Sequence, residues 1–162
     1  MTEAHFEGLE ELVRDPGVLR FTRVPDPPPA DFVRRWFERY EQGRAEGTKE
    51  GFAIVDEDGA FLGLALAPEI DAESRTAELG YMVSPGARGR GVASEAVRQL
   101  TEWAFEERGL LRLVLYISVE NTASKGVARR CGYVYEGTLR SDYVKPGLRE
   151  DIEIWSRLPD DP

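Results

Sequence analysis

The chain has 162 residues, 41% of them hydrophobic, with 21 basic and 30 acidic side chains and a net charge of −9. That length fits a single domain spanning 1–162 with a core that needs no staple. A lone cysteine, Cys131, and a lone histidine, His5, exclude an internal disulfide and cysteine-pair zinc sites, so no metal is expected.

The pI is about 4.8. Binding to bulk nucleic acid is not expected, because that affinity comes from clustered Lys and Arg on phosphates. A cationic partner suits the charge better. No apolar run approaches ~18 residues, so no membrane span is expected. The N-terminus carries neither the basic nor the apolar region of a signal peptide, and the cytoplasm is the expected compartment.

Phe6 to Val13 reads as a short helix with Leu9, Leu12 and Val13 on one face, stopped by Asp15-Pro16-Gly17. Val24-Pro25-Asp26-Pro27-Pro28-Pro29 is a stiff loop, since consecutive prolines join neither a helix nor a central strand. Asp31 caps a second helix with Phe32, Val33, Trp36, Phe37 and Tyr40 along its stripe, closed by Gly43 and Gly47. The aromatic residues there read as core.

Three strands follow: Phe52–Val55, Phe61–Ala67 and Thr76–Val83. The turn Asp56–Gly59 joins the first two, and the polar turn Pro68–Ser74 the next two. A glycine-rich loop, Ser84 to Gly91, then opens a helix near Val92 that runs to Gly109. Leu111–Val119 is a buried strand, Asn121–Arg130 a helix closed by Gly132, and Tyr133–Tyr135 a strand. Arg140 to Asp151 reads as a polar loop before a last strand with Ile152, Ile154 and Trp155. The order implies a mixed sheet with helices packed on it.

Arg88-Gly89-Arg90-Gly91-Val92-Ala93 is the segment with chemistry. The first turn of a helix offers unpaired N–H groups and a partial positive charge, and glycines let a ligand approach the backbone. Together they suit a phosphate or pyrophosphate. No Gly-Lys-Ser/Thr follows, so a Walker loop is excluded. A dinucleotide fingerprint fits poorly, because Ser94 stands where the third glycine belongs and a meander precedes the loop.

Arg88, Gly91 and Ala93 also satisfy the pattern Gln/Arg-x-x-Gly-x-Gly/Ala. Glu78-Leu79-Gly80-Tyr81-Met82-Val83 precedes it. Downstream come Asn121-x-x-Ser124, Cys131-Gly132-Tyr133, Glu136-Gly137 and Leu139-Arg140. In this order and spacing, over roughly Phe52 to Trp155, the chain resembles the GNAT N-acetyltransferases, in particular their RimJ/RimL-like branch. Two departures stand out. The usual strand before the first helix is expected to be missing or cut short, and the tyrosine that many members carry four residues before the closing glycine is Ala128 here.

The resemblance implies an α/β (α+β mixed sheet) fold of the acyl-CoA N-acyltransferase kind. A mostly antiparallel N-terminal meander is followed by a central β-α-β unit, with helices on both faces. It implies direct transfer of an acetyl group from acetyl-CoA to a primary amine, either a small molecule or a peptide N-terminus. The alternative is a module that holds an acyl-CoA without catalysis.

Glu78 is the first candidate for general base, with Glu136 and Glu153 as weaker alternatives. Ser124 is the candidate acid beside the thiol. Met82, Val83, Arg88, Gly89, Arg90, Gly91, Val92, Ala93, Asn121 and Ser124 are the candidate cofactor contacts. Lys125 and Arg129 reach toward the 3′-phosphate in the same reading, although solvated helix charges describe them better.

Cys131 reads as a structural thiol and His5 as a surface residue. The resemblance implies an acceptor site shaped by the loops Phe21–Pro29 and Arg140–Asp151, where the charges of Asp26, Asp142, Glu150 and Asp151 would favour a cation. Members of the family often dimerise through sheet or helix contacts, so a homodimer is compatible with the resemblance.

Overall fold

The computed structural model describes residues 1–161. A 3-10 turn at Glu3–His5 leads into α1 (Phe6–Leu12), α2 (Pro16–Phe21) and α3 (Phe32–Glu46). The strands β1 (Glu50–Val55), β2 (Phe61–Asp71) and β3 (Thr76–Val83) follow, then a 3-10 turn at Pro85–Ala87 and α4 (Val92–Glu106). The remainder is β4 (Arg112–Ser118), α5 (Thr122–Arg130), β5 (Val134–Lys145) and β6 (Leu148–Arg157). The expected mixed sheet is present: six strands in the order β1-β2-β3-β4-β6-β5, antiparallel except for the β3–β4 pair.

Three segments differ from the expected elements. Asp15-Pro16 starts a helix rather than only stopping one. The Asp15 carboxylate accepts from Val18 N at 3.0 Å, and Pro16 occupies the first helical position, where its missing N–H costs nothing.

The turn expected at Pro68 is strand. β2 continues to Asp71, and Pro68 sits in an irregular stretch where the β2–β3 register shifts between Leu66 and Glu69.

The polar loop Arg140–Asp151 is mostly a hairpin, with β5 paired to β6 around a tight turn in which Gly147 has φ 74°. β5 is an edge strand with most of its side chains in solvent, so its sequence lacks the apolar alternation that marks a half-buried strand.

The sheet has a buried cluster on each face. Leu64, Leu66 and Met82 meet Leu9, Leu12, Val33 and Trp36 of the first helices. Ala65, Ala67, Leu79, Leu113 and Leu115 meet Val97, Leu100, Ala104 and Val127 of α4 and α5. Successive strand residues point to opposite faces, so β2 and β3 serve both clusters in alternation. Each fully buried leucine contributes roughly 1.5–3 kcal/mol of transfer energy.

Helices on both faces leave the strand ends free to part. β3 and β4 pair only from Thr76↔Arg112 to Glu78↔Val114. Beyond Glu78 the two strands no longer pair with each other, and the sheet opens there.

Candidate active site

The opening between β3 and β4 is a cleft of about 1420 Å³. Leu79 to Val83 forms one wall, Leu115 to Ser118 the other, and the glycine loop closes one end. Gly89 has φ 72° and Gly91 φ 84°, a backbone that side-chain-bearing residues adopt at a cost. A Cβ added at Gly86, Gly89 or Gly91 would meet no atom within 4 Å, so the space over the loop is open. Gly91 caps α4 with no side chain satisfying its first N–H groups. Open space, exposed backbone donors and a helix N-terminus together fit a pyrophosphate.

Arg88 and Arg90 part company. Arg88 Nε donates to Val83 O at 3.0 Å, and the guanidinium pairs with Asp15, so Arg88 braces the loop against α2. Arg90 lines a second, smaller groove between β1 and α4 and does not line the cleft. Met82, Val83, Arg88, Gly89, Gly91, Val92, Ala93, Asn121 and Ser124 all line the cleft.

Glu78 lies at the fork. It shares its face of β3 with Met82, the face toward α1–α3. Arg23 Nη1 lies 3.5 Å from both carboxylate oxygens. Burial pushes the Glu78 carboxyl above the usual glutamate range, and Arg23 partly opposes that shift. Trp36 and Tyr40 stack with ring centroids 4.1 Å apart. Both are buried as expected, yet both also line this arm of the cleft.

Ser124 enters from the other side, in the first turn of α5. Its backbone N donates to Asn121 Oδ1 at 3.1 Å, so Asn121 is the N-cap of the helix as well as a cleft residue. Tyr81 Oη donates to Ser124 Oγ at 3.0 Å. Reading the sequence motif by motif misses Tyr81. It sits between Leu79 and Val83 in a strand alternation that looks like core. The available signal was that alternation itself, which places a phenol on the face packed by α4 and α5.

The remaining candidates are held elsewhere. Glu136 is fixed by Arg112 and Ser156, whose hydrogen bonds bring its pKa down to about 2. Glu153 accepts from Lys125 Nζ at 3.1 Å and from Trp155 Nε1 at 2.9 Å. Neither carboxylate lines the cleft. Lys125 also donates to Val119 O at 2.7 Å, and Arg129 lies over the Trp155 ring at 5.0 Å. Lys125 is thus held against the protein, while Arg129 stays exposed on the helix, as expected of a solvated charge.

Cys131 is buried, and desolvation raises its thiol pKa, as suits a structural role. His5 pairs with Thr2 in the first turn. Of the acceptor carboxylates, Asp142 lines the cleft, Glu150 is clamped by Arg20 and Ser118, and Asp151 accepts from Ser141 N at 2.8 Å. Asp26 does not line the cleft. Among the described residues no cluster of three metal-ligating side chains occurs, and no helix is long and apolar enough to cross a membrane.

A mixed sheet forked at a glycine loop, with a carboxylate on one face and a hydroxyl pair on the other, defines a cleft of the acyl-transfer class. The acetyltransferase (GNAT) domain family matches residues 1–134, and the chain belongs to that family. The spermidine N(1)-acetyltransferase of Escherichia coli (strain K12) is 28% identical over 158 residues, covering 91% of this chain and 83% of that one. The ribosomal-protein-serine acetyltransferase of the same strain is 29% identical over 114 residues, 70% of this chain. Two relatives named for ribosomal proteins are matched over only 55% and 63% of their own length. Among solved structures, RimL, a ribosomal alpha-N-protein acetyltransferase in complex with coenzyme A, superposes with a TM-score of 0.91. It is 21% identical, with 99% of this chain and 92% of that chain covered.

Proposed function

We propose that the protein is an acetyl-CoA-dependent N-acetyltransferase acting on a primary amine. One observation carries this reading. Where β3 and β4 part, Glu78 stands on one face of β3 and the Tyr81–Ser124 pair on the other, beside the glycine loop. An acceptor and a leaving thiol approach a thioester carbonyl from opposite sides, and the alternation of one strand supplies a group for each.

Acetyl-CoA supplies the acetyl group as a thioester. The backbone of Gly89, Gly91, Val92 and Ala93 suits its pyrophosphate, and the Asn121 side chain an amide of its pantetheine arm. Met82 and Val83 flank the carbonyl, where a backbone N–H stabilises the oxyanion. Glu78 takes the proton from the acceptor ammonium, directly or through water, because only the neutral amine attacks. Ser124 donates toward the sulfur as it leaves. From ammonium to amide the nitrogen loses two protons: one leaves before attack, the other as the C–N bond forms; the sulfur takes up one and the other is released to solvent.

The acceptor arm combines Glu69, Glu78 and Asp142 and the aromatic rings of Phe21, Trp36 and Tyr40 with the cations Arg23, Arg39 and Lys49. Its carboxylates and ring faces suit an alkyl amine held as its ammonium, in competition with Arg23 at Glu78. Relatives named for spermidine and for ribosomal proteins bracket the class.

A panel of polyamines and short peptides with free N-termini, read by thiol release from acetyl-CoA, tests the proposal. At least one amine should give saturable release that Glu78→Gln lowers by about 10²-fold or more. Release independent of every amine, and unchanged in Glu78→Gln, would leave the module that only holds acyl-CoA.

A further inference from the structure

Ser124 has one hydroxyl hydrogen and two lone pairs to place. A serine in a helix commonly turns that hydrogen back onto the carbonyl four residues earlier. Ser124 makes no such bond among the described residues: its oxygen accepts from Tyr81 Oη at 3.0 Å, and its hydroxyl donates to nothing in the protein. Both residues line the cleft. The Tyr81 ring packs against the core cluster under α4 and α5, which fixes where its Oη points.

We propose that Tyr81 is the positioning residue for the leaving sulfur: by donating to Ser124 Oγ it turns the only serine proton into the cleft, toward the thiolate. This rests on the reading of Ser124 given above. As the C–N bond forms, the C–S bond breaks and the sulfur departs with the electron pair. Ser124 meets that charge with its O–H, and its oxygen, already accepting from Tyr81, is the more polarised donor for it. The sulfur finally takes one of the two protons that the nitrogen gives up on going from ammonium to amide, carried through solvent in the open cleft, and the other is released to solvent.

Tyr81 keeps its own proton throughout. Burial raises its pKa to about 12, so it remains a donor across the working pH range. Its role is orientation, and it touches neither acetyl group nor amine.

A double-mutant cycle in single-turnover transfer tests this, with acetyl-CoA affinity measured by calorimetry on the same proteins. Tyr81→Phe keeps the ring and removes the donor. Transfer should slow about three- to tenfold, the size of one hydrogen bond, with acetyl-CoA affinity unchanged. Ser124→Ala should slow transfer at least as much. In the Ser124→Ala background, Tyr81→Phe should change the rate by less than about twofold, because the residue has nothing left to orient.

Equal losses from Tyr81→Phe in both backgrounds would overturn the proposal, as would a normal rate for Tyr81→Phe beside a slow Ser124→Ala. A normal rate for Ser124→Ala would remove the reading of Ser124 itself. Should Tyr81→Phe melt early, 3-fluorotyrosine at position 81 keeps the shape and strengthens the donor. Transfer should then rise with Ser124 present and stay flat in Ser124→Ala, and a rise in both would overturn the proposal.

Discussion

Glu78 ionises in a setting that resists ionisation. Desolvation raises its pKa, while the charge and hydrogen bonds of Arg23 lower it. As general base it must be unprotonated, so kcat/KM falls as pH drops through its folded pKa. That acid limb lies above the usual glutamate range. Arg23→Ala removes a stabilising cation and moves the limb to higher pH; a limb that stays put or moves down would separate Glu78 from the rate.

The same raised pKa sets a stability expectation. The folded state binds the Glu78 proton more tightly than the unfolded chain does, so this group's contribution is lost as pH rises through the folded pKa. Glu78→Gln removes that loss. At pH 7.5 its Tm should equal or exceed the wild-type value while transfer collapses. Glu136→Gln and Glu153→Gln make the contrast. Their carboxylates face Arg112 and Lys125 outside the cleft, so kcat should be little changed.

At the scale of elements, α2 and the β5–β6 hairpin are stapled together. Tyr143 Oη donates to Thr22 O at 2.6 Å, Lys145 Nζ donates to Val24 O at 2.8 Å and to Leu19 O, and Arg20 grips Glu150. The staple fixes the loop that carries Arg23 over Glu78. Removing one bond of this kind costs about 0.5–1.5 kcal/mol. Tyr143→Phe should therefore raise the acceptor KM severalfold and speed amide exchange at Thr22–Val24, with the acetyl-CoA KM unchanged. An equal rise in both KM values would mean that the hairpin serves the whole cleft rather than the acceptor arm.

The elements forming that staple were the least legible ones in the sequence. Asp15-Pro16 is both a stop and a start, and the N-cap bond to Val18 N decides between them. β5 is polar because it is an edge strand, so it reads as loop. The glycine loop and the two helices after it were legible because their signals are local: Gly89 and Gly91 before an apolar stripe, Asn121 at a cap, Gly132 at a close. The Tyr81–Ser124 pair spans 43 positions and exists only once β3 and α5 are packed together. Glu78 was legible as a residue, but its partner Arg23 was not, since that contact depends on α2.

In the whole molecule the sheet carries a buried cluster on each face and a fork between two strands, so the cleft is held by both clusters at once. A ligand spanning the fork ties β3, β4, α4 and α5 together and binds only the folded state. At a hundredfold excess over Kd such a ligand adds about 2.7 kcal/mol of stability. For a chain of this size that raises Tm by roughly 5–10 °C. Coenzyme A should produce such a shift, and substitution of Gly89 and Gly91 by valine should abolish it, because both glycines have positive φ and open space above them.

The most direct measurement is calorimetric titration of the purified protein with acetyl-CoA, with NAD and ATP as controls. Saturable micromolar binding of acetyl-CoA, with neither nucleotide binding as tightly, is the expected result. Tighter binding of NAD or ATP, or no heat from acetyl-CoA at any concentration tried, would contradict the assignment of the fork and its glycine loop as an acetyl-CoA site.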